Sequence, residues 1–173
     1  MQPLSPSPLQ APISMLEKTP AVLQLLLGDL PEDVLEWKPA PERWSIAEVL
    51  EHMLMIEKLY EQRARRIVLE DSPVLPKSEA PEGQQRRGKT AGQSLDEFVP
   101  LRRAFTFYLH SIPSTAGGRT GHHAELGTVT LSQMLHELAN HDLGHLRQVA
   151  ELYRAHSFYP HGGPFQKYSN PKP

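Results

Sequence analysis

Four stretches of the chain carry apolar residues at helical spacing. Leu131, Met134, Leu135, Leu138, Leu146 and Val149 form one stripe, predicting a helix capped by Thr130 with Gln133 and running to about Ala155. Val49, Leu50, Met53, Ile56, Tyr60, Ala64 and Ile67 form another, which starts at Ser45 with Glu48 as a capping box and reaches about Leu69. Trp44, just before that cap, is placed to staple against Val49. Leu95, Phe98, Leu101, Phe105, Tyr108 and Leu109 predict a helix from about Ser94, boxed with Glu97, to Ile112, although Pro100 would remove one of its interior hydrogen bonds. The first helix is expected over about Ser14 to Gly28, with its start open between a Ser14–Glu17 box and a Thr19-Pro20 cap.

The rest of the chain punctuates these helices. Residues 1–12 read as a Pro-rich irregular arm, and the connector from Leu30 to Pro41 holds at most one helical turn after Pro31. Residues 70–93 and 113–129 are long polar connections rich in Pro and Gly, and neither shows the alternation of a strand. Residues 157–173 form an aromatic, Pro- and Gly-rich tail expected to pack over the helices. The predicted fold is all-α, a four-helix bundle over residues 13–156 whose sites are built from facing side chains. Gly144 stands inside the fourth helix at a cost of about 1 kcal/mol relative to Ala, which a helix tolerates where a neighbour or ligand comes close.

Composition narrows the chemistry. The 173 residues suit one domain, and a net charge of -2 gives no global positive field for nucleic acid or anionic membrane. The basic run from Gln84 to Lys89 has no interleaved aromatics and reads as a solvated loop. There is no cysteine, so thiolate metal sites, disulfides and a cysteine nucleophile are excluded. No apolar run is long enough to span a bilayer, and the first residues lack the pattern of a signal peptide, so a cytoplasmic protein is expected.

Any metal must then sit on histidine and carboxylate. His141 and His145 are four residues apart, so on a helix they leave one face a turn apart, beside Leu138, Val149 and Leu152. Such a pair can share one divalent ion, and neutral imidazole suits Zn, Ni, Cu and Fe(II). His52 lies among Val49, Ile56 and Leu59, on or beside the buried face of its helix. A lone histidine there is more often a core residue bonded to a carbonyl, so the pattern leaves both roles open.

Glu137, one turn before His141, is open between a fourth ligand, a base, a partner of a ligand and a plain exposed carboxylate, the commonest state for Glu. Gln148, three residues after His145, is placed to reach the site or to bond an imidazole; Asp142 is expected at the surface. His136 points about 140° away from His141 on an ideal helix. His136-Glu137 does not complete H-E-x-x-H, because the closing position is Asn140. His156 is about 16 Å beyond His145 along the axis, and His122, His123 and His161 fall in loops.

Three segments occur in order: Lys38-Pro-Ala-Pro-Glu-Arg-Trp-Ser-Ile-Ala-Glu-Val-Leu-Glu-His52, Leu126-Gly-Thr-Val-Thr-Leu131 and His141-Asp-Leu-Gly-His-Leu-Arg-Gln148. Together they resemble the DinB-like superfamily, which includes YfiT-like metal-dependent hydrolases and the bacillithiol and mycothiol S-transferases. The resemblance spans roughly residues 14–156, and its most specific parts are W-S-I-x-E-x-x-x-H and H-x-x-x-H-x-x-Q. It implies a four-helix bundle holding a divalent metal, Zn, Ni or Fe, on one histidine of the second helix and two of the fourth. Those positions match His52, His141 and His145. It also implies a homodimer formed through helix faces.

The leading function so implied is a metal-dependent thiol S-transferase acting in stress response or detoxification. A cation held by three neutral imidazoles would lower the pKa of a bound thiol. Lacking cysteine, the protein would take that thiol from a low-molecular-weight co-substrate and join it to a small-molecule electrophile. One alternative is a metal-dependent hydrolase, with Glu137 or Glu48 accepting a proton. Another is a non-catalytic metal- or small-ligand-binding stress protein. A pocket over the metal, anchored by residues of 70–93 and 113–129, would favour catalysis, and a site plugged by the tail would favour binding.

Overall fold

The computed structural model describes residues 9–77 and 88–172, and in it the four apolar stripes become four long helices. These are α1 (Gln10–Leu27), α3 (Ile46–Leu69), α4 (Ala91–Ser111) and α5 (Leu131–Ser157), with a five-residue α2 (Glu32–Glu36) in the first connector. Residues 1–8 of the expected arm and residues 84–87 of the basic run lie outside the described residues. The main contacts of α1 and of α3 are both with α4 and α5. The bundle therefore runs α1, α4, α3, α5 around its axis, and the long crossing between α4 and α5 brings α5 beside α3.

Two helix starts differ from expectation. α1 begins at Gln10, not near Ser14 or Pro20, because Pro12 falls in the first turn, where its missing N–H has no helical partner. Pro20 lies inside α1 and deprives the Leu16 carbonyl of its helical donor; Arg102 Nη1 of α4 donates to that carbonyl instead, at 3.2 Å. α4 begins at Ala91 under a Thr90–Gln93 capping box, so the expected Ser94–Glu97 box is inside the helix and Ser94 is buried. Pro100 is thus interior but on the exposed face, where the carbonyl that loses its helical donor is open to solvent.

The expectation of no strand is also corrected. Thr120–His123 and Gly127–Thr130 pair antiparallel, with Thr120 opposite Thr130 and His123 opposite Gly127. Each strand is four residues long, too short for alternation to register, and the pairing is fixed from outside. The Leu75 N–H donates to the His122 carbonyl and the His122 N–H to the Pro73 carbonyl, at 2.9 and 2.7 Å. Gly121 permits this docking, since a Cβ there would meet Leu75 Cδ2 at 2.8 Å and Ile67 Cγ1 at 3.0 Å. After α5, two 3₁₀ turns (Tyr159–His161 and Gly163–Tyr168) carry the chain back along the helix, until the Lys172 N–H donates to Glu151 Oε2 at 3.0 Å.

The core has two apolar clusters, one including Leu16, Ile67, Phe105, Leu109 and Leu135, the other Leu23, Leu50, Met53, Phe98 and Val149. A polar layer lies between them, one residue from each long helix: Thr19, Glu57, Arg102 and Asp142, all buried. Arg102 Nε donates to Glu57 Oε2 at 2.9 Å, its Nη1 to Asp142 Oδ2 at 2.5 Å, and the Thr19 hydroxyl to the same Oδ2 at 2.7 Å. Burial opposes the charge on Arg102, but the Glu57 and Asp142 carboxylates more than offset it and push the guanidinium pKa up. Asp142 is therefore buried, not at the surface.

Candidate metal centre

α3 and α5 bring His52, His141 and His145 to one point. The Ser45–Glu48 capping box fixes where α3 begins: the Glu48 N–H donates to Ser45 Oγ at 3.2 Å and the Ser45 N–H to Glu48 Oε2 at 2.8 Å. Two turns further on, His52 Nε2 lies 3.0 Å from His141 Nε2, which lies 3.1 Å from His145 Nε2. Among the described residues this is the group of histidine and carboxylate side chains placed to hold a metal ion, with all ligand atoms within 4.8 Å of one another.

Proton bookkeeping tests the fit of a cation. Desolvation by burial, then repulsion from His145 and His141, lowers the His52 pKa to about 4. Desolvation and His145 likewise lower His141 to about 4, and desolvation lowers His145. All three rings are therefore neutral at pH 7. His145 Nδ1 donates to Gln148 Oε1 at 2.9 Å, which spends its one proton and leaves Nε2 as a bare lone pair. His141 Nε2 faces both other rings yet has either one proton or one lone pair, so its two contacts cannot both be good hydrogen bonds. A shared cation resolves the conflict. Ligands at about 2.1 Å from one ion lie about 3.0 to 3.4 Å apart for right-angle to tetrahedral arrangements, which the two spacings match.

Trp44 walls the cluster. Its ring stacks on His145 with centroids 5.8 Å apart and planes 15° apart, and meets His52 edge-on at 5.0 Å. In the sequence Trp44 counts as a helix staple and as the first residue of the W-S-I-x-E-x-x-x-H segment; its position directly before the cap, two turns below His52, is the signal for this further role. His141 Nδ1 is buried without a protein partner.

A cleft of about 670 Å³ opens beside the cluster, lined by His141, His145 and Gln148 together with Arg43, Arg147 and Lys172. Gln148 thus does what its spacing allowed. Glu137 does not join the histidines; it is exposed and lines a separate cavity of about 520 Å³ with Tyr60, Arg63, Leu75, His123 and Met134. Leu75, His123, Leu126, Thr128 and Val129 line that second cavity, and among the described residues of 70–93 and 113–129 none lines the cleft, whose walls come from α5, Arg43 and Lys172; residues 78–87 lie outside the described residues. Glu48 is held by the Ser45 N–H and by Lys38 at 3.0 Å.

Three of the other histidines have partners elsewhere. His136 bonds the Ser132 carbonyl, His156 packs edge-on to Trp37, and His123 Nδ1 accepts from the Glu125 and Leu126 N–H groups. No helix among the described residues is long and apolar enough to cross a membrane.

Comparison with known proteins agrees with this architecture. No curated protein matches the chain. Among solved structures, YfiT from Bacillus subtilis, described as a probable metal-dependent hydrolase with an unusual four-helix bundle topology, matches with a TM-score of 0.76 and 19% identity. That match covers 90% of this chain and 91% of the other, and shows a shared fold. Residues 15–149 match the DinB superfamily, a span that holds His52, His141, His145 and Gln148, and the chain belongs to that superfamily.

Proposed function

We propose that His52, His141 and His145 hold a divalent metal ion and that the protein is a metal-dependent enzyme transferring a small thiol to an electrophile. The observation that carries the metal is the convergence of three neutral Nε2 atoms that cannot satisfy one another with their own protons. A divalent ion there supplies positive charge that favours the deprotonated form of a thiol or water.

The surrounding residues favour a thiol over water. Hydrolysis calls for a carboxylate free to take a proton, and among the described residues those near the cluster are engaged. Glu48 caps α3 and pairs with Lys38, Asp142 is bonded to Arg102 and Thr19, and Glu151 is bonded to Arg154 and to the Lys172 N–H. Glu137 faces the other cavity. A thiol needs no such base, because its ordinary pKa of about 8.5 is close to neutrality. In this reading Gln148 fixes the His145 ring so that Nε2 faces the ion, while Trp44 keeps water from one side. Hydrolysis remains the second reading, supported by the description of YfiT.

The test is metal content of protein purified without an affinity tag, beside His141→Ala and His52→Ala variants with checked helicity. About one divalent ion per chain, reduced at least tenfold in affinity by either substitution, is expected for three shared ligands. Metal retained in both variants would remove the centre from these residues. Turnover of thiol plus electrophile against ester or amide hydrolysis then separates the two enzyme readings.

A further inference from the structure

We propose that the cleft beside the histidines binds an oxyanion group, carboxylate or phosphate, of a small-molecule substrate, with Arg147 and Lys172 as its recognition surface. The chain as a whole has a net charge of -2, yet among the described residues this cleft is lined by Arg147 and Lys172, with Arg43 at its edge, and by a single carboxylate, Glu151. That carboxylate is already spoken for: Oε1 accepts from Arg154 at 2.5 Å and Oε2 from the Lys172 N–H at 3.0 Å. Glu151 therefore leaves the positive charge of Arg147 and Lys172 unmatched at the cleft wall.

The neutral lining residues have the same polarity. The Gln148 carbonyl oxygen is occupied by His145 Nδ1–H, so the group Gln148 has left to offer is its NH₂, a donor. Asn140 lines the same wall. Gly144 stands between Asn140 and Gln148, and nothing lies within 4 Å of where its Cβ would be, so the helix backbone is uncovered to a ligand at that point.

Position makes this a substrate subsite. At about 100° per residue, Asn140, Gly144, Gln148 and Glu151 fall in one angular sector of α5, adjoining the sector of His141 and His145. Arg43 approaches from the other side, next to Trp44, which stacks on His145. A guanidinium pairs with carboxylate or phosphate through two parallel donors, and a volume of about 670 Å³ suits a small molecule. An anion held there places the rest of its molecule against the histidines. The inference takes the cluster as the reaction centre from the proposed function, but the anion site itself needs no metal.

The test uses full-length, metal-free protein at physiological salt, titrated separately with succinate, inorganic phosphate and succinamide while the Gly144 and Gln148 backbone amide resonances are followed. Saturable shifts are expected with succinate or phosphate, with dissociation constants at least about fivefold below that for succinamide, or about 1 kcal/mol. Arg147→Ala should weaken the preferred anion by a similar factor, and Arg147→Ala with Lys172→Ala should abolish saturation while far-UV circular dichroism is unchanged. Equal response to succinamide, no saturable response to either anion, or full affinity in the double variant would each overturn the proposal. A protein that binds the anion but no divalent metal would retain this site and lose the metal reading.

Discussion

The behaviour of single residues at the cluster follows from where protons can go. The His52 and His141 pKa values lie at about 4 in the folded protein, against an ordinary 6.5, with desolvation the first cause. In metal-free protein the unfolded chain therefore takes up protons below pH 6.5, while the folded chain resists them until about pH 4. The stability linked to these groups is whole above pH 6.5 and drains away as pH falls to 4. Urea unfolding of metal-free protein at pH 7 and pH 4.5 should show a clear drop in midpoint. A His52→Gln, His141→Gln variant should lose much less across the same interval, and equal losses would contradict the assignment. Gln148 acts at the same scale: one hydrogen bond decides which nitrogen of His145 has a free lone pair.

At the scale of elements, identical substitutions at two glycines should act with opposite sign. Gly144 is inside α5 with no atom near its missing side chain, so Gly144→Ala should raise stability by about 0.5–1 kcal/mol through helix propensity alone. Gly121 is the contact between the Thr120–His123 strand and the wall made by Ile67 and Leu75, so Gly121→Ala should cost about 1–3 kcal/mol by forcing those side chains aside. Chemical denaturation of the two variants measures both. The hairpin illustrates what periodicity misses: His122 pairs with Thr128 on one side and with the Pro73–Leu75 segment on the other, both partners set by the tertiary fold.

For the whole molecule, the buried layer of Thr19, Glu57, Arg102 and Asp142 ties the axial positions of all four long helices to one guanidinium. Glu57 Oε1 has no partner and burial raises its carboxyl pKa against the pull of Arg102, so the layer has little to spare. Arg102→Leu would strand two buried carboxylates and should destabilise the protein by about 3–5 kcal/mol, measured as a fall in the urea midpoint. Replacing Arg102, Glu57 and Asp142 together with apolar residues of similar volume should recover most of the loss. The layer also bears on the site, since Asp142 follows His141 directly and fixes how α5 stands against α3.

The sequence by itself determined the four helices, the starts of α3 and α5, and three histidines at positions that match a known family. These follow from short-range rules: a 3.6-residue period, a cap three residues before a Glu or Gln, and a side-chain pair one turn apart. It left His52 open on its own pattern, placed Asp142 at the surface, put the start of α4 four residues late and gave no hairpin. Three of these depend on a partner remote in sequence, namely His141, Arg102 and the Pro73–Leu75 edge; the start of α4 was a choice between two local boxes, Thr90–Gln93 and Ser94–Glu97, decided by the burial of Ser94. Only the tertiary structure, by setting α5 beside α3, decided that three imidazoles meet and that a cation-lined cleft opens next to them. Distances across a bundle depend on which helices become neighbours, and local periodicity contains no record of that.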